Sequence, residues 1–253
     1  MALASLKGMS SWHDSVAVFD LETTGIDVTS ARVVTAFVGV LDADGRVLES
    51  RTWLADPGVE IPAGAAAVHG ITTERARAEG RPARAVVGEI VAALQEVLDR
   101  GLPLVVYNAP YDLTLLHHET ARHDLAALAV PEAVVDPLVI DKAVDRYRKG
   151  KRTLTAAAEV YGVPLEGAHD AGADAVAAGR VAQALAQRYP EQLALPLAEL
   201  HRAQRSWCDE ANDSYERFRR RNDPSFVVER GWPLRGERVP HLDLPPAAAD
   251  ALF

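Results

Sequence analysis

The chain has 253 residues, one cysteine, 48% hydrophobic residues and a formal charge of −9. That length and apolar content suit one α/β domain of generous size, or a domain with a short extension. A lone Cys208 excludes an internal disulfide, and no apolar run approaches the roughly 18 residues that span a bilayer, so a reduced, cytoplasmic setting with no membrane partner is expected.

The acidity excludes a protein that coats nucleic acid through positive charge alone. It does not exclude a nucleic-acid enzyme, because a site that holds divalent cations must itself be rich in carboxylates. The opening MALASLKGMSSWHDS lacks the continuous apolar stretch of a secretory signal and reads as a loose lead-in.

In chain order, Val16–Leu21 is an apolar run broken by one Asp and followed by the turn-prone Thr23-Thr24-Gly25, which predicts a buried central strand. Val33–Leu41 and Val47–Leu54, joined by Asp42-Ala43-Asp44-Gly45, predict a hairpin. After a loop bearing Pro and Gly, Ala85–Leu98 has helical spacing and is stopped by Gly101. Leu102–Tyr107 predicts a short strand, and Asn108-Ala109-Pro110 is a helix start with Asn able to cap, the helix running to about Arg122. Ala133–Val135 predicts another short strand, followed by helices over Leu138–Tyr147, Leu154–Tyr161 and the Ala-rich Ala171–Arg188.

Strands first paired antiparallel and then alternating with helices imply an α/β fold with a mixed sheet of about five strands flanked by helices. Near residue 190 the character changes. Pro196–Arg221 is charged and amphipathic, and the tail from Asn222 is dense in Pro, Gly and Arg, so a domain over 10–190 and a C-terminal extension over 191–253, one long helix plus an irregular tail, are expected. There is no internal repeat.

The candidate chemistry begins with Asp20 and Glu22, two apart on a strand and so on one face. Alone, an Asp-x-Glu pair is unspecific, since acidic residues at strand ends are usually solvated or serve as caps. Asp112 falls in the first turn of the helix opened by Asn108, where the helix dipole favours a carboxylate on its own account. His169 and Asp174 lie five apart at the start of the Ala-rich helix, with Asp170 between them.

Together the strings VFDLETTG, YNAPYD and HDAGADA resemble the three motifs of the His-containing branch of the DEDD exonuclease superfamily, which includes the epsilon proofreading subunit of bacterial DNA polymerase III, ribonuclease T and oligoribonuclease. The resemblance covers about Val16–Arg188, with further matches in AAAVHGIT, VVDPL and LTAAAEVYGV. It implies a ribonuclease H-like fold and removal of nucleoside 5′-monophosphates from a nucleic acid 3′ end, single-stranded or frayed, with DNA favoured over RNA.

It further implies Asp20, Glu22, Asp112, His169 and Asp174 as catalytic residues. Two Mg²⁺ or Mn²⁺ ions roughly 4 Å apart are the expected cofactors. Asp20 would bridge them, Glu22 and Asp174 would bind one and Asp112 the other, directly or through water. His169 would be general base. The family's His-to-Asp spacing selects Asp174 over Asp170, which is read as an N-cap. Thr23 and Thr24 backbone N–H groups, Asn108, and His69 with Val68 and Ile71 are the expected substrate contacts. Tyr107 and Tyr111 depart from the family's common residues.

Two basic clusters stand out. Lys142, Arg146, Arg148, Lys149, Lys151 and Arg152 read either as a solvated loop or as a track for phosphates. Arg217, Arg219, Arg220 and Arg221, beside Tyr215 and Phe218, read as a surface helix whose aromatic stripe packs on the core. Gln192-Leu193-Ala194-Leu195 resembles the start of the peptides by which bacterial polymerase partners bind the sliding clamp, and reads equally as a linker. A replication or repair partner is therefore an expectation. An RNA-trimming exoribonuclease and a catalytically silent module that binds nucleic acid or a replication partner are the alternatives.

Overall fold

A computed structural model describes residues 11–130 and 132–236. The first ten residues of the expected lead-in and the end of the tail, from 237, lie outside the described residues.

Strand β1 (Val16–Thr23) organises the molecule. It pairs antiparallel with β2 (Val33–Leu41) and parallel with β5 (Leu104–Val105). Beyond β2 lies β3 (Val47–Asp56), and beyond β5 lies β6 (Val134–Val135). A two-residue strand β4 (Arg81–Pro82) runs parallel to β3, so the mixed sheet has six strands in the order β4-β3-β2-β1-β5-β6.

Helices cover both faces. Ala17, Phe19 and Leu21 of β1 point into a core shared with α3 (Ala83–Asp99) and α4 (Ala109–Arg122). Val16 and Val18 point the other way, under α7 (Ala171–Arg188). Burying a side chain such as Phe19 contributes about 1.5–3 kcal/mol. Because side chains alternate, the face that carries Val16 and Val18 continues into Asp20 and Glu22. Gly179 lets α7 approach this face closely: a Cβ there would lie 2.5 Å from both Val18 and Leu41 side-chain atoms.

The loop expected between β3 and α3 instead holds α1 (Ala63–His69), α2 (Thr73–Glu79) and β4. None of the three shows a strong apolar period. Helix α1 buries no residue, and α2 is started by Thr72, whose hydroxyl accepts the Arg75 N–H. Helix α5 (Pro137–Val144) stops three residues before the expected end, and α6 (Leu154–Tyr161) follows a loop over 145–153. In that loop Arg148 and Arg152 turn inward to the buried carboxylate of Asp141, whose other oxygen accepts from Tyr161 at 2.6 Å. These two arginines are part of the packing rather than of a solvated loop.

Beyond α7, a short α8 (Pro190–Leu193) buries Leu193 in the core under α7, and the Leu193 carbonyl accepts the Trp12 indole N–H at 2.9 Å. The stretch that resembles a clamp-binding peptide is thus partly helical, with Leu193 buried in the core.

Helix α9 (Leu197–Arg219) then lies along β6. His201 Nδ1 accepts from Val134 N–H at 3.2 Å. Gln204 accepts from Asp136 N–H at 2.6 Å and donates to the Val134 carbonyl at 3.1 Å. Burial, followed by the charge of Arg205, lowers the His201 pKa to about 4, which keeps the ring neutral and able to accept. At about 35 Å, α9 is longer than the edge it covers. Contrary to the expected stripe packed on the core, Tyr215 and Phe218 are 46% and 56% exposed. Among the described residues, no helix is long and apolar enough to cross a membrane.

Two substitutions test this packing. Gly179→Val is expected to lower the unfolding free energy by about 1–3 kcal/mol through overpacking against Val18 and Leu41, measured by urea denaturation. Gln204→Leu strands a donor and an acceptor on β6 and is expected to cost about 1–3 kcal/mol for each group left unpaired, with the same measurement deciding.

Candidate active site

The C-terminal end of β1 meets the first turns of α4 and α7. Asp112, in the first turn of α4, is 3% exposed and accepts the Leu21 N–H through Oδ1 at 3.1 Å, which fastens that helix to the strand between Asp20 and Glu22. Asp174 lies in the first turn of α7, whose N-cap is Asp170: its carboxylate accepts from Gly172 and Ala173 N–H at 3.0 Å each. Asp170 is thus occupied as a cap, and Asp174 turns to the site.

Glu22, His169 and Asp174 each bring a ligating atom within 4.8 Å of the others. His169 sits in left-handed backbone geometry (φ 70°), uncommon outside glycine, and its own N–H donates to Asp174 Oδ2 at 3.2 Å. Asp174 Oδ1 is buried and has no hydrogen-bond partner. Asp20 and Asp112 stand outside this trio but are joined to it electrostatically.

Burial, and then the charges of Asp112, Glu22, Asp174 and Asp170, push the Asp20 carboxyl well above its ordinary range. Glu22 is raised to about 7 by burial and by Asp174 and Asp170. For Asp112, burial outweighs the hydrogen bonds from Leu21 and from its own N–H, and its pKa is raised too. Asp174 is raised by burial, opposed by the amide and ring of His169. Clustered carboxylates so disfavoured as anions, with one buried oxygen left unpaired, suit a hard divalent cation on oxygen ligands.

The expected substrate contacts are only partly assembled. His69, at the end of α1, is half-buried beside the Thr23 backbone, and its Nδ1 accepts from Ile71 N–H at 3.2 Å. Val68 is 51% exposed, whereas Ile71 is buried against Val34, Ile61 and Ala76 and offers no contact surface. The Thr24 N–H donates to the Arg32 carbonyl at 3.0 Å, a strand-end bond that removes it from substrate binding. Thr23 Oγ1 lies 2.5 Å from Tyr111 OH, one hydroxyl donating to the other while the second donates to the Gly25 carbonyl, which lies within 2.9 Å of both. Ile26, in the same loop, is 90% exposed.

Asn108 takes the N-cap position of α4 with a left-handed φ of 65°, but its side chain makes no capping bond. The cap comes from Asp136. Its two carboxylate oxygens accept from Asn108 and Ala109 N–H at 3.0 Å each, from Leu138 N–H at 3.0 Å and from the Trp232 indole at 3.3 Å. One fully buried carboxylate thus starts both α4 and α5 and anchors the tail. The sequence signal for it was Asp136-Pro137, itself a helix-start pair.

Comparison with known proteins agrees with this arrangement. Residues 17–182 match the family model described as Exonuclease. Among curated relatives, a DNA polymerase III subunit epsilon-like protein of Rhodobacter capsulatus is 33% identical over 164 residues, which is 63% of this chain and 22% of that protein. A PolC-type DNA polymerase III of Lacticaseibacillus paracasei is 29% identical over 168 residues, 66% of this chain and 11% of that protein. The chain therefore spans less than a quarter of the length of these relatives. Among solved structures, the zinc-ion-bound form of an E. coli ExoI–ssDNA complex shares the fold with a TM-score of 0.60 at 20% identity, covering 71% of this chain and 42% of that one. The carboxylates at the end of β1 all lie within the matched segment, and the chain belongs to the exonuclease family.

Proposed function

We propose that the chain is a metal-dependent 3′–5′ exonuclease of the His-containing type that shortens single-stranded or frayed DNA and releases nucleoside 5′-monophosphates. The observation that carries this is the approach of Glu22, His169 and Asp174 to within 4.8 Å, beside a strand and helix that hold Asp20 and Asp112. The zinc-bound complex of E. coli ExoI, a protein of like fold, with single-stranded DNA supports both the cation and the substrate. The polymerase-related proteins support a role beside replication or repair.

Asp20, Glu22, Asp112 and Asp174 would hold two divalent cations, Mg²⁺ or Mn²⁺. Such ions would supply positive charge beside the scissile phosphate and lower the pKa of the attacking water. His169 is exposed on a short connection whose geometry is set by its bond to Asp174, and its imidazole would serve as the general base that accepts a proton from the attacking water. Asp174 orients the His169 backbone as well as offering its unpaired oxygen. The Thr23 backbone N–H and Asn108 would contact the terminal nucleotide, with His69 and the exposed Val68 beside it.

With 5′-labelled single-stranded DNA and matched RNA in Mg²⁺ or Mn²⁺, a ladder of shortened products is expected, stronger on DNA. His169→Ala should lower its rate by about 10²–10⁴-fold, and Asp20→Ala should abolish it. Preferred cleavage of RNA would move the assignment to RNA trimming. Oligonucleotide binding without cleavage would favour a silent module.

The raised carboxyl pKa values make a second prediction. In the unfolded chain these groups ionise near 4, whereas in the folded protein Glu22 holds its proton to about 7. The metal-free fold therefore loses stability as pH rises from about 4 through 7, because the folded state binds more protons in that window. A cation offsets this loss. Mn²⁺ at about 100 times its Kd is expected to add about 2.7 kcal/mol, roughly 5–10 °C in Tm for a chain of this size. At one fixed Mn²⁺ concentration the gain should be larger at pH 8 than at pH 6 in differential scanning fluorimetry, because protonated carboxyls bind the ion more weakly. Equal gains at the two values would argue against cation binding by these carboxylates.

A further inference from the structure

The matched exonuclease segment ends at residue 182, yet α9, well beyond it, forms one wall of a groove of about 640 Å³. The two walls differ in chemistry. Helix α5 and the 145–153 loop contribute Lys142, Arg146, Arg148 and Arg152. Helix α9 contributes the rings of Trp207, Tyr215 and Phe218, with Glu210 the one carboxylate among the lining residues. Over residues 142–152 the sequence has six cations and one acid, in a chain whose formal charge is −9.

The charged wall is built on a fixed base. Arg148 and Arg152 are paired with buried Asp141, which leaves exposed Lys142 and Arg146 as the cations that face outward. The aromatic wall is open: Tyr215 and Phe218 are about half exposed, and the guanidinium groups of Arg219 and Arg221 lie 5.6 and 6.0 Å from their ring centres. Tyr147, in the cationic loop, is 89% exposed. The groove is also tied to the carboxylate site. Tyr107 OH donates to the Arg152 carbonyl at 2.8 Å, and Tyr107 directly precedes Asn108 and the start of α4.

Exposed rings opposite exposed cations match an unpaired nucleic acid strand, which offers a π face and a phosphate at every step. An acidic peptide would match the cations but would present a ring only where its sequence supplied one. We propose that this groove is a binding site for single-stranded nucleic acid, holding the strand upstream of the 3′ end that enters the carboxylate site. The proposal rests on the exonuclease reading, and its test separates the two.

The full chain in EDTA is titrated into a 5′-fluorescein oligothymidylate of about 20 nucleotides, longer than a single stacking site requires, and followed by anisotropy. Tyr215→Ala with Phe218→Ala is expected to weaken binding about tenfold or more. Lys142→Gln with Arg146→Gln is expected to lower the slope of log K against log salt by about 1.4, two phosphate contacts on a single strand. All four side chains are exposed, but Tyr215 also meets Phe226 edge-on and accepts from Arg219 at 2.7 Å, so a thermal scan of both variants accompanies the titration to show that each is folded. Hydrolysis of a dinucleotide in Mn²⁺, which has no upstream strand to lay in the groove, should keep its parent kcat/KM.

Unchanged anisotropy in both variants would overturn the proposal, as would an equal loss on the short substrate. If the variants lose a labelled acidic, phenylalanine-containing peptide but keep the oligonucleotide, the groove docks protein and the proposal falls. Loss of long-strand binding in a protein that cleaves nothing would sustain the groove and sink the exonuclease reading. Normal cleavage with unaltered binding would do the reverse.

Discussion

Like charges gathered at the end of a buried strand repel one another, and the arrangement of this molecule follows from holding them there. On β1 the apolar face of Val16 and Val18 becomes acidic at Asp20 and Glu22, where α7 begins above it. Asp112 is fixed against the strand by the Leu21 amide, and Asp174 by the amide of His169. Each bond places a carboxylate near others although burial and repulsion oppose its ionisation. Packing elsewhere supplies the stability to tolerate this, since both faces of β1 are covered by helices.

The position of α4 depends in turn on Asp136. Four N–H groups from three parts of the chain converge on it, and Gln204 of α9 holds its backbone. Trp232 and Gln204 lie outside the segment matched to the family, so residues beyond that segment help to set where the α4 helix starts. The link is structural rather than chemical: Asp136 is fully buried and its oxygens are occupied by donors.

Much of the fold was legible because its signals are local. The run from Val16, the hairpin through Asp42–Gly45 and the Ala-rich helix each carry a clear period or turn residue. The three acidic motifs were legible through their order and spacing. What escaped was set by distant partners. The Asn108 side chain was expected to cap α4, but the capping oxygens come from 28 residues away. The Thr24 amide was expected to meet substrate, but a neighbouring strand end claims it. Helices α1 and α2 lack an apolar stripe, so periodicity could not mark them. The aromatic stripe of α9 looked like a core face because sequence shows which residues share a side of a helix, not where the neighbouring sheet ends.

The bonds from α9 to β6 also bear on how the protein behaves at high concentration. A sheet edge offers a row of unpaired peptide groups on which another chain can add a strand, the first step toward aggregation. Here β6 is the last strand, and its outward amides and carbonyl are taken by His201 and Gln204. At the opposite edge β4 covers only Ala55 and Asp56, so most of the ten-residue β3 is itself an edge, and it carries Glu49 and Arg51, charges of the kind that discourage a further strand from adding. One border is sealed by side chains that stand in for a neighbouring strand and the other is guarded by charge. A foreign strand would therefore have to add along β3 rather than along β6.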